Sequence, residues 1–293
     1  MSIKLRIFIV GCPRSGTTLL QKHLAAHKEV HSFPESHFFT INNQNQFLRY
    51  SGIHSRRKLV AYRQFLEAVG VSYKSFPFPV YANFRGLSTR FFVRVLDSLC
   101  MKAEKRIWLE KTPDHLYAIR RITRAAASCK FIHLIRDGKD VAASIREVTQ
   151  KYPDSWRGQI SAVDCVNKWN NALTETRKWI GDKNHLVVRY ESFTKNPKEN
   201  LKAICQFLGI DYGQEMLKPE VDKNTHLVVS GEKWKADSMS NTIIQDRASK
   251  FDTVFTEAEQ RLVTSNLYNI AEILDDRLLQ AESIKTKTDR WPL

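Results

Sequence analysis

The sequence predicts an α/β fold, with a central parallel sheet flanked by helices in three layers. Two observations predict it. Short, continuous apolar or β-branched runs alternate with longer helical patterns, and such runs suit strands covered on both faces. A glycine-containing loop joins the first run to the first helical pattern, at the carboxyl end of a strand, where open α/β sheets bind ligands. Strands are expected at residues 5–10, 107–109, 130–135 and 185–189. The helical pattern over 15–27 keeps Leu19, Leu20 and Leu24 on one stripe, as a helix buried on one side requires. Patterns over 140–148 and 162–180 follow similarly, and the one over 197–208 starts with a proline, a residue suited to the first helical position. A last helix over 256–274 opens with Thr256, an N-cap with Glu259 three residues on. No repeat or linker divides the chain, so residues 1–293 read as one domain. Within it, residues 37–92 are aromatic-rich, basic and weakly periodic and read as a substrate-side insertion, and residues 256–280 as a C-terminal helix.

Composition narrows the function classes. A hydrophobic content of 42% supports a substantial core, while 11 glycines and 9 prolines exclude collagen-like or low-complexity character. No apolar run approaches the ~20 residues that cross a bilayer, so no transmembrane segment is expected, and peripheral membrane contact stays open. The run over residues 7–10 is too short for the core of a secretory leader. The cysteines, Cys12, Cys100, Cys129, Cys165 and Cys205, are odd in number and form no C-x-x-C pair. They predict thiols in a reducing compartment rather than a disulfide frame or a zinc site. A cytoplasmic protein is expected. The net charge is +15, with 25 basic and 10 acidic side chains over residues 1–150 and 21 of each over 151–293. Excess charge confined to one half calls for an anionic partner. Nucleic acid is not expected, because zinc-finger spacing, an aromatic RNP box and a lysine-rich tail are all missing.

The loop from Gly11 reads GCPRSGTT. Between a strand and a helix, such a loop turns consecutive backbone N–H groups and the positive helix end toward an anion. Its spacing matches G-x-x-x-x-G-K-[ST], except that Thr17 stands where the lysine of a triphosphate-binding loop would be. Arg14 supplies a cation from inside the loop instead. Ser15, Gly16, Thr17 and Thr18 complete the cradle.

PRSGTT after a hydrophobic strand resembles the 5′-phosphosulfate loop of sulfotransferases that use 3′-phosphoadenosine 5′-phosphosulfate (PAPS). A second segment, RDGKDVAAS from Arg136 to Ser144, is similar to that family's 3′-phosphate element, in which the arginine and the serine eight residues later hold the ribose phosphate. Arg136 leaves a strand end with a planar fork suited to phosphate oxygens. EKTP from Glu110, and RYESF from Arg189 followed by Pro197 and FLGI, resemble two further family segments. By resemblance Tyr190 lies near the adenine. SGEKWK from Ser230 partly resembles the late loop that closes over the nucleotide, which assigns Lys233 to the cofactor. The likeness spans residues 5 to about 235 and is most similar in motif to bacterial and tyrosylprotein-type members. It implies a P-loop-like fold, PAPS as sulfuryl donor and adenosine 3′,5′-bisphosphate as product.

Sulfuryl transfer needs a base for the acceptor hydroxyl and cations for the leaving phosphate oxygen. HSFPESHFF from His31 looks like the PPETHFF segment of the same members, which assigns the base to Glu35. A free glutamate near pKa ~4.3 is a weak base, and burial among Phe33, Phe38 and Phe39 would raise it. His37 is the competing base. Lys111, at a strand's carboxyl end, is the second catalytic cation beside Arg14. With Arg14, Lys111 and Arg136 supplying positive charge, no metal is expected. His23 and His27, four apart on the first helix, lack a third ligand and read as helix packing or surface residues. Arg120, Arg121 and Arg124 read as a solvated helix face, and Trp156, Trp169 and Trp179 as core.

The expected activity is in-line transfer of a sulfuryl group from PAPS to a hydroxyl of a peptide tyrosine, sugar or lipid headgroup. Residues 51–100 hold eight basic side chains against Glu67 and Asp97, so the acceptor is expected to be anionic, an acidic peptide, glycan or lipid. A P-loop phosphotransferase and a non-catalytic anion-binding scaffold of the same fold remain as alternatives.

Overall fold

The computed structural model describes residues 2–41, 56–79, 87–156, 158–219 and 250–274. Lys233 and the rest of the loop at 230–235 lie outside the described residues, as do residues 42–55 and 80–86 of the expected insertion and 275–280 of the expected C-terminal helix. The strands are β1 Leu5–Gly11, β2 Val30–Phe33, β3 Ile107–Lys111, β4 Cys129–Ile135 and β5 His185–Arg189. They form one parallel sheet in the order β2-β3-β1-β4-β5. β2 is an addition to the four strands expected. With His31 and Ser32 at its centre it shows no apolar run, and only its ladder with β3, from Val30↔Ile107 to Phe33↔Glu110, makes it a strand.

Alternation sorts the strand residues onto two cores. Phe8 and Val10 of β1 join Trp108 and Phe131 in the larger one, while Leu5, Ile7 and Ile9 join Leu109, Ile132 and Leu134 on the opposite face. The Phe8 ring stacks on Phe131 at 5.1 Å and meets Trp108 edge-on at 5.2 Å, geometries that rings favour. The helices that cover these faces include α1 Thr17–Ala25, α2 Arg56–Ala68, α3 Leu87–Lys102, α4 Ile119–Ala125, α5 Gly138–Lys151 and α6 Ala162–Arg177. α7 Tyr190–Lys195 and α8 Pro197–Leu208 follow β5. α3 is fastened to the sheet by Asp97, which takes Arg6 of β1 through two bonds of 3.0 and 2.7 Å and the Trp108 indole N–H at 2.8 Å.

Several boundaries differ from the sequence expectation for identifiable reasons. α5 begins at Gly138 because Asp137 caps it, accepting from the backbone N–H groups of Lys139 and Asp140. The aromatic stretch expected to be weakly periodic holds α2 and the start of α3, and Tyr62, Phe65 and Leu66 of α2 are buried. The single helix expected over 256–274 is two, Glu257–Asn266 and Ile270–Leu274, because Leu267 turns extended. The capping box at Thr256 and Glu259 is present. Of the two readings of His23 and His27, packing holds: both are buried, with His23 Nδ1 2.7 Å from the Met216 carbonyl and His27 Nε2 2.8 Å from that of Asp211. Arg121 is not a solvated face residue; it donates to the Phe39 carbonyl at 2.9 Å. All five cysteines are buried free thiols.

One buried pair makes the fold sensitive to acid. His133 is fully buried, with Nε2 2.9 Å from His185 Nδ1, and His185 lies between the rings of Phe131 and Trp179 at 4.8 and 4.7 Å. Burial, helped by the neighbouring His185, lowers His133 to about 3, and burial lowers His185 to about 4 against the pull of Asp182. In the unfolded chain both take up protons near pH ~6.5. Between that value and about 4 the unfolded state binds more protons, so stability is full above the interval and is lost as pH falls through it. Thermal melts across that interval should show Tm falling, and a His133→Leu variant should lose less of its Tm over the same range.

Candidate active site

The carboxyl ends of β1, β3 and β4 meet at one crevice. Gly11 closes β1 against β4 so tightly that a Cβ there would lie 2.4 Å from the Leu134 carbonyl oxygen, and only glycine permits that approach. The chain then turns through Arg14, at φ 74, and Gly16, at φ 92, into α1. No side chain caps α1, and its first turn carries no acid. Its leading N–H groups are therefore directed at the crevice without an intramolecular side-chain acceptor, as an anion cradle requires. α5 differs, since Asp137 already occupies its start. Ser15 is 1% exposed, and its hydroxyl meets no hydrogen-bond partner among the described residues. A buried orphan hydroxyl in a loop of this shape fits a phosphate or sulfate oxygen.

The expected site residues gather in two groups. In the first, Arg14 Nε donates to Ser144 Oγ at 3.2 Å, which joins the loop directly to α5. Tyr190, the first residue of α7, lies under Gly16, where a Cβ would come within 2.4 Å of its ring. The Arg136 guanidinium sits over the same ring at 4.6 Å. Arg136 also donates to Asp140, one turn along α5, at 3.2 and 2.7 Å. Asp140 escaped the sequence reading, although its i, i+4 spacing from Arg136 was the available signal.

In the second group, Lys111 leaves the end of β3 and reaches the loop. Its Nζ donates to Thr18 Oγ1 at 3.1 Å and pairs with Glu35 Oε1. A cation thus arrives from the neighbouring strand where the loop sequence has Thr17, itself buried. The other Glu35 oxygen lies 3.2 Å from His37 Nε2. Exposure rises outward along this row, from 1% for the Lys111 side chain to 7% for Glu35 and 53% for His37. The Glu35 side chain is 7% exposed, and charged and polar groups meet its carboxylate: Lys111 on one oxygen and His37 on the other.

Behind Lys111 lies a second buried set, to which the sequence reading gave no role: Glu110, Thr112, His115 and Ser36. Burial would raise the Glu110 carboxyl, but the adjacent His115 and hydrogen bonds from His115, Thr112 and the Ser36 backbone outweigh it and hold the group below the usual carboxylate range. A glutamate near the carboxyl end of the otherwise apolar β3 was the signal. Beside the crevice, a groove of about 490 Å³ is lined by Thr40, Asp114, Tyr117, Asp164, Asn167, Lys168 and Asn171.

The comparisons agree with this geometry. A sequence model described as the sulfotransferase family matches residues 6–214. The chain belongs to the sulfotransferase family. Among its relatives, protein-tyrosine sulfotransferase 2 of Gallus gallus is 28% identical over 219 residues, covering 73% of this chain and 53% of the relative. The protein-tyrosine sulfotransferase of Drosophila melanogaster is 25% identical over 261 residues, covering 84% and 46%. The chain therefore spans about half the length of these curated relatives. Among solved structures, the sulfotransferase domain from the Synechococcus PCC 7002 olefin synthase aligns with a TM-score of 0.61 at 21% identity, covering 92% of this chain and 96% of that one. The sulfotransferase domain from the curacin biosynthetic pathway gives 0.59 at 21%, covering 90% and 98%. These likenesses show the fold, the P-loop-like α/β architecture expected from the sequence.

The ion pair at the heart of this site has a measurable consequence. Removing one member of a buried pair strands the other's charge, a loss of ~3–5 kcal/mol. Lys111→Met should therefore destabilise strongly in urea unfolding, and adding Glu35→Gln to it should recover part of the loss.

Proposed function

We propose that this sulfotransferase-family chain moves a sulfuryl group from PAPS to an acceptor hydroxyl, with Glu35 as the base. The observation that carries the reading is the row Thr18–Lys111–Glu35 at the mouth of the uncapped loop. It sets a base, a cation and a phosphate cradle at one place.

The residues present fit the donor. The uncapped α1, the orphan Ser15 hydroxyl and the Gly16 cradle suit its phosphosulfate end. Arg136 and Ser144 suit the 3′-phosphate, and Tyr190 offers a ring face near them. Arg14, bonded to Ser144, contributes charge between the two ends. Lys233 belongs to this set by resemblance. PAPS supplies the activated sulfur–oxygen bond. The acceptor oxygen bonds to sulfur while the bond from sulfur to the phosphate oxygen breaks. Glu35 takes the hydroxyl proton, and Lys111 meets the charge that builds on the departing oxygen, the kind of placed donor worth ~2.7–4 kcal/mol at a transition state. His37 lies on the solvent side of Glu35 and holds the second carboxylate oxygen rather than replacing it as base. Arg14, Lys111 and Arg136 provide the positive charge that a phosphotransferase would take from magnesium.

For the acceptor, the likeness to protein-tyrosine sulfotransferases favours a peptidyl tyrosine, and the basic first half favours one in an acidic setting. Arg57, Arg63, Arg90 and Arg94 are exposed on α2 and α3. Lys58 is turned away from that exposed set. It donates to Ser88 Oγ at 3.1 Å, and burial, with Arg121 nearby, lowers it to about 8.

Glu35→Gln removes the proton acceptor and keeps the shape, so turnover with PAPS should fall ~10²–10⁴-fold. Calorimetric affinity for adenosine 3′,5′-bisphosphate should hardly change, and ATP with Mg²⁺ should bind weakly to either protein. If His37→Asn abolishes turnover while Glu35→Gln retains it, the base is His37.

The acceptor reading rests on long-range charge, which fades as the Debye length drops from ~10 Å at 0.1 M salt to ~3 Å at 1 M. Steady-state kinetics over that range should raise the acceptor KM more than the donor KM. Glu substitutions at Arg57, Arg63, Arg90 and Arg94 together should reproduce the effect in low salt. An acceptor KM indifferent to both would assign the basic half to another partner.

A further inference from the structure

The backbone ladder between β2 and β3 ends at Phe33↔Glu110, two residues short of the base. What continues the link is a set of buried side chains. Consecutive residues on the two segments pair crosswise: Glu35 with Lys111, and Ser36 with Glu110. Glu110 Oε1 accepts from the Ser36 backbone N–H at 3.0 Å, from Ser36 Oγ at 2.9 Å and from Thr112 Oγ1 at 2.6 Å. Its Oε2 lies 2.8 Å from His115 Nδ1. Thr112 Oγ1 in turn accepts from the backbone N–H groups of Ser36 at 3.2 Å and His37 at 3.4 Å. Glu110, Thr112 and His115 are 0% exposed and Ser36 is 2% exposed, so water does not compete for these bonds.

We infer that Glu110 is a positioning residue for the sulfuryl-transfer base: through Ser36 it fixes the Glu35 segment to the end of β3 and sets the carboxylate against Lys111. Successive strand residues point to opposite faces, so β3 sends Lys111 to the loop and Glu110 to the other side. The Glu35–Ser36 dipeptide straddles the strand end and is held on both faces at once. Two anchors on adjacent residues leave the Glu35 backbone little freedom to swing away when an acceptor enters. A buried carboxylate serves this better than an amide, because it accepts every bond that arrives and offers no competing donor. The inference rests on Glu35 being the base.

The test is a double-mutant cycle on the full chain, with Ser36→Ala, Glu35→Gln and the pair, read in turnover and in urea melts. Ser36→Ala keeps the backbone bond and removes the hydroxyl anchor. Its kcat should fall on the order of tenfold, the size of one well-made hydrogen bond, with adenosine 3′,5′-bisphosphate affinity unchanged. Ser36→Thr should restore it. In the Glu35→Gln background, Ser36→Ala should lower the residual turnover no further, because both changes act through one carboxylate. Additive losses in turnover, or a Ser36→Ala enzyme at wild-type kcat, would overturn the positioning role. If the wild-type chain shows no PAPS-dependent turnover, the functional reading fails instead. The melts then decide the anchor alone: coupling of about fivefold in the unfolding constant supports it, and additive changes refute it.

Discussion

The end of the sheet is organised around a charge that has nowhere else to go. Lys111 is 1% exposed, and an ammonium removed from water is tolerated only where opposite charge and hydrogen bonds surround it. Glu35 supplies the charge and Thr18 a hydroxyl, and each belongs to a different connection leaving the sheet. To satisfy one side chain, the loop after β1, the turn after β2 and the end of β3 must all arrive together. The same convergence gathers the chemistry, so stability and function ask for one arrangement rather than two.

The central strands and the phosphate loop were legible in the sequence because their signals are local. β1, β4 and β5 are strands of five to seven residues built around short apolar clusters such as IFIV and LVV, and the loop carries its glycines, arginine and hydroxyls within eight positions. β2 was not legible, since a four-residue strand with His31 and Ser32 inside it depends on its partner for existence. The pairing of Glu35 with Lys111 was also hidden. Those residues lie 76 positions apart, and only the order β2-β3-β1 brings them together. Each had been singled out alone, on resemblance and on its place at a strand end. The Glu110 set stood in segments that resemble the family, but its joint role escaped because the sequence does not show its members meeting. A threonine, a serine and a histidine near a strand end acquire meaning only when a buried carboxylate is found at their centre.

Charge shows the same limit from another direction. Sequence arithmetic placed the excess in the first half and could not say which of those cations face water. The fold divides them. Arg57, Arg63, Arg90 and Arg94 are exposed on α2 and α3, whereas Lys58 bends inward over the Phe38 ring at 5.8 Å, and Arg6 and Arg121 are spent on Asp97 and the Phe39 carbonyl. A net charge therefore does not say which cations a partner can touch.

Tyr190 lies beneath Gly16 on one side and Arg136 on the other. A single methyl at position 16 would lie 2.4 Å from two ring carbons, so the two positions are not free to drift separately. A side chain at residue 16 requires the Tyr190 ring to shift or shrink, and either change disturbs the platform on which the arginine rests. The glycine, the tyrosine and the arginine come from three distant parts of the chain, yet as heritable characters they behave as one.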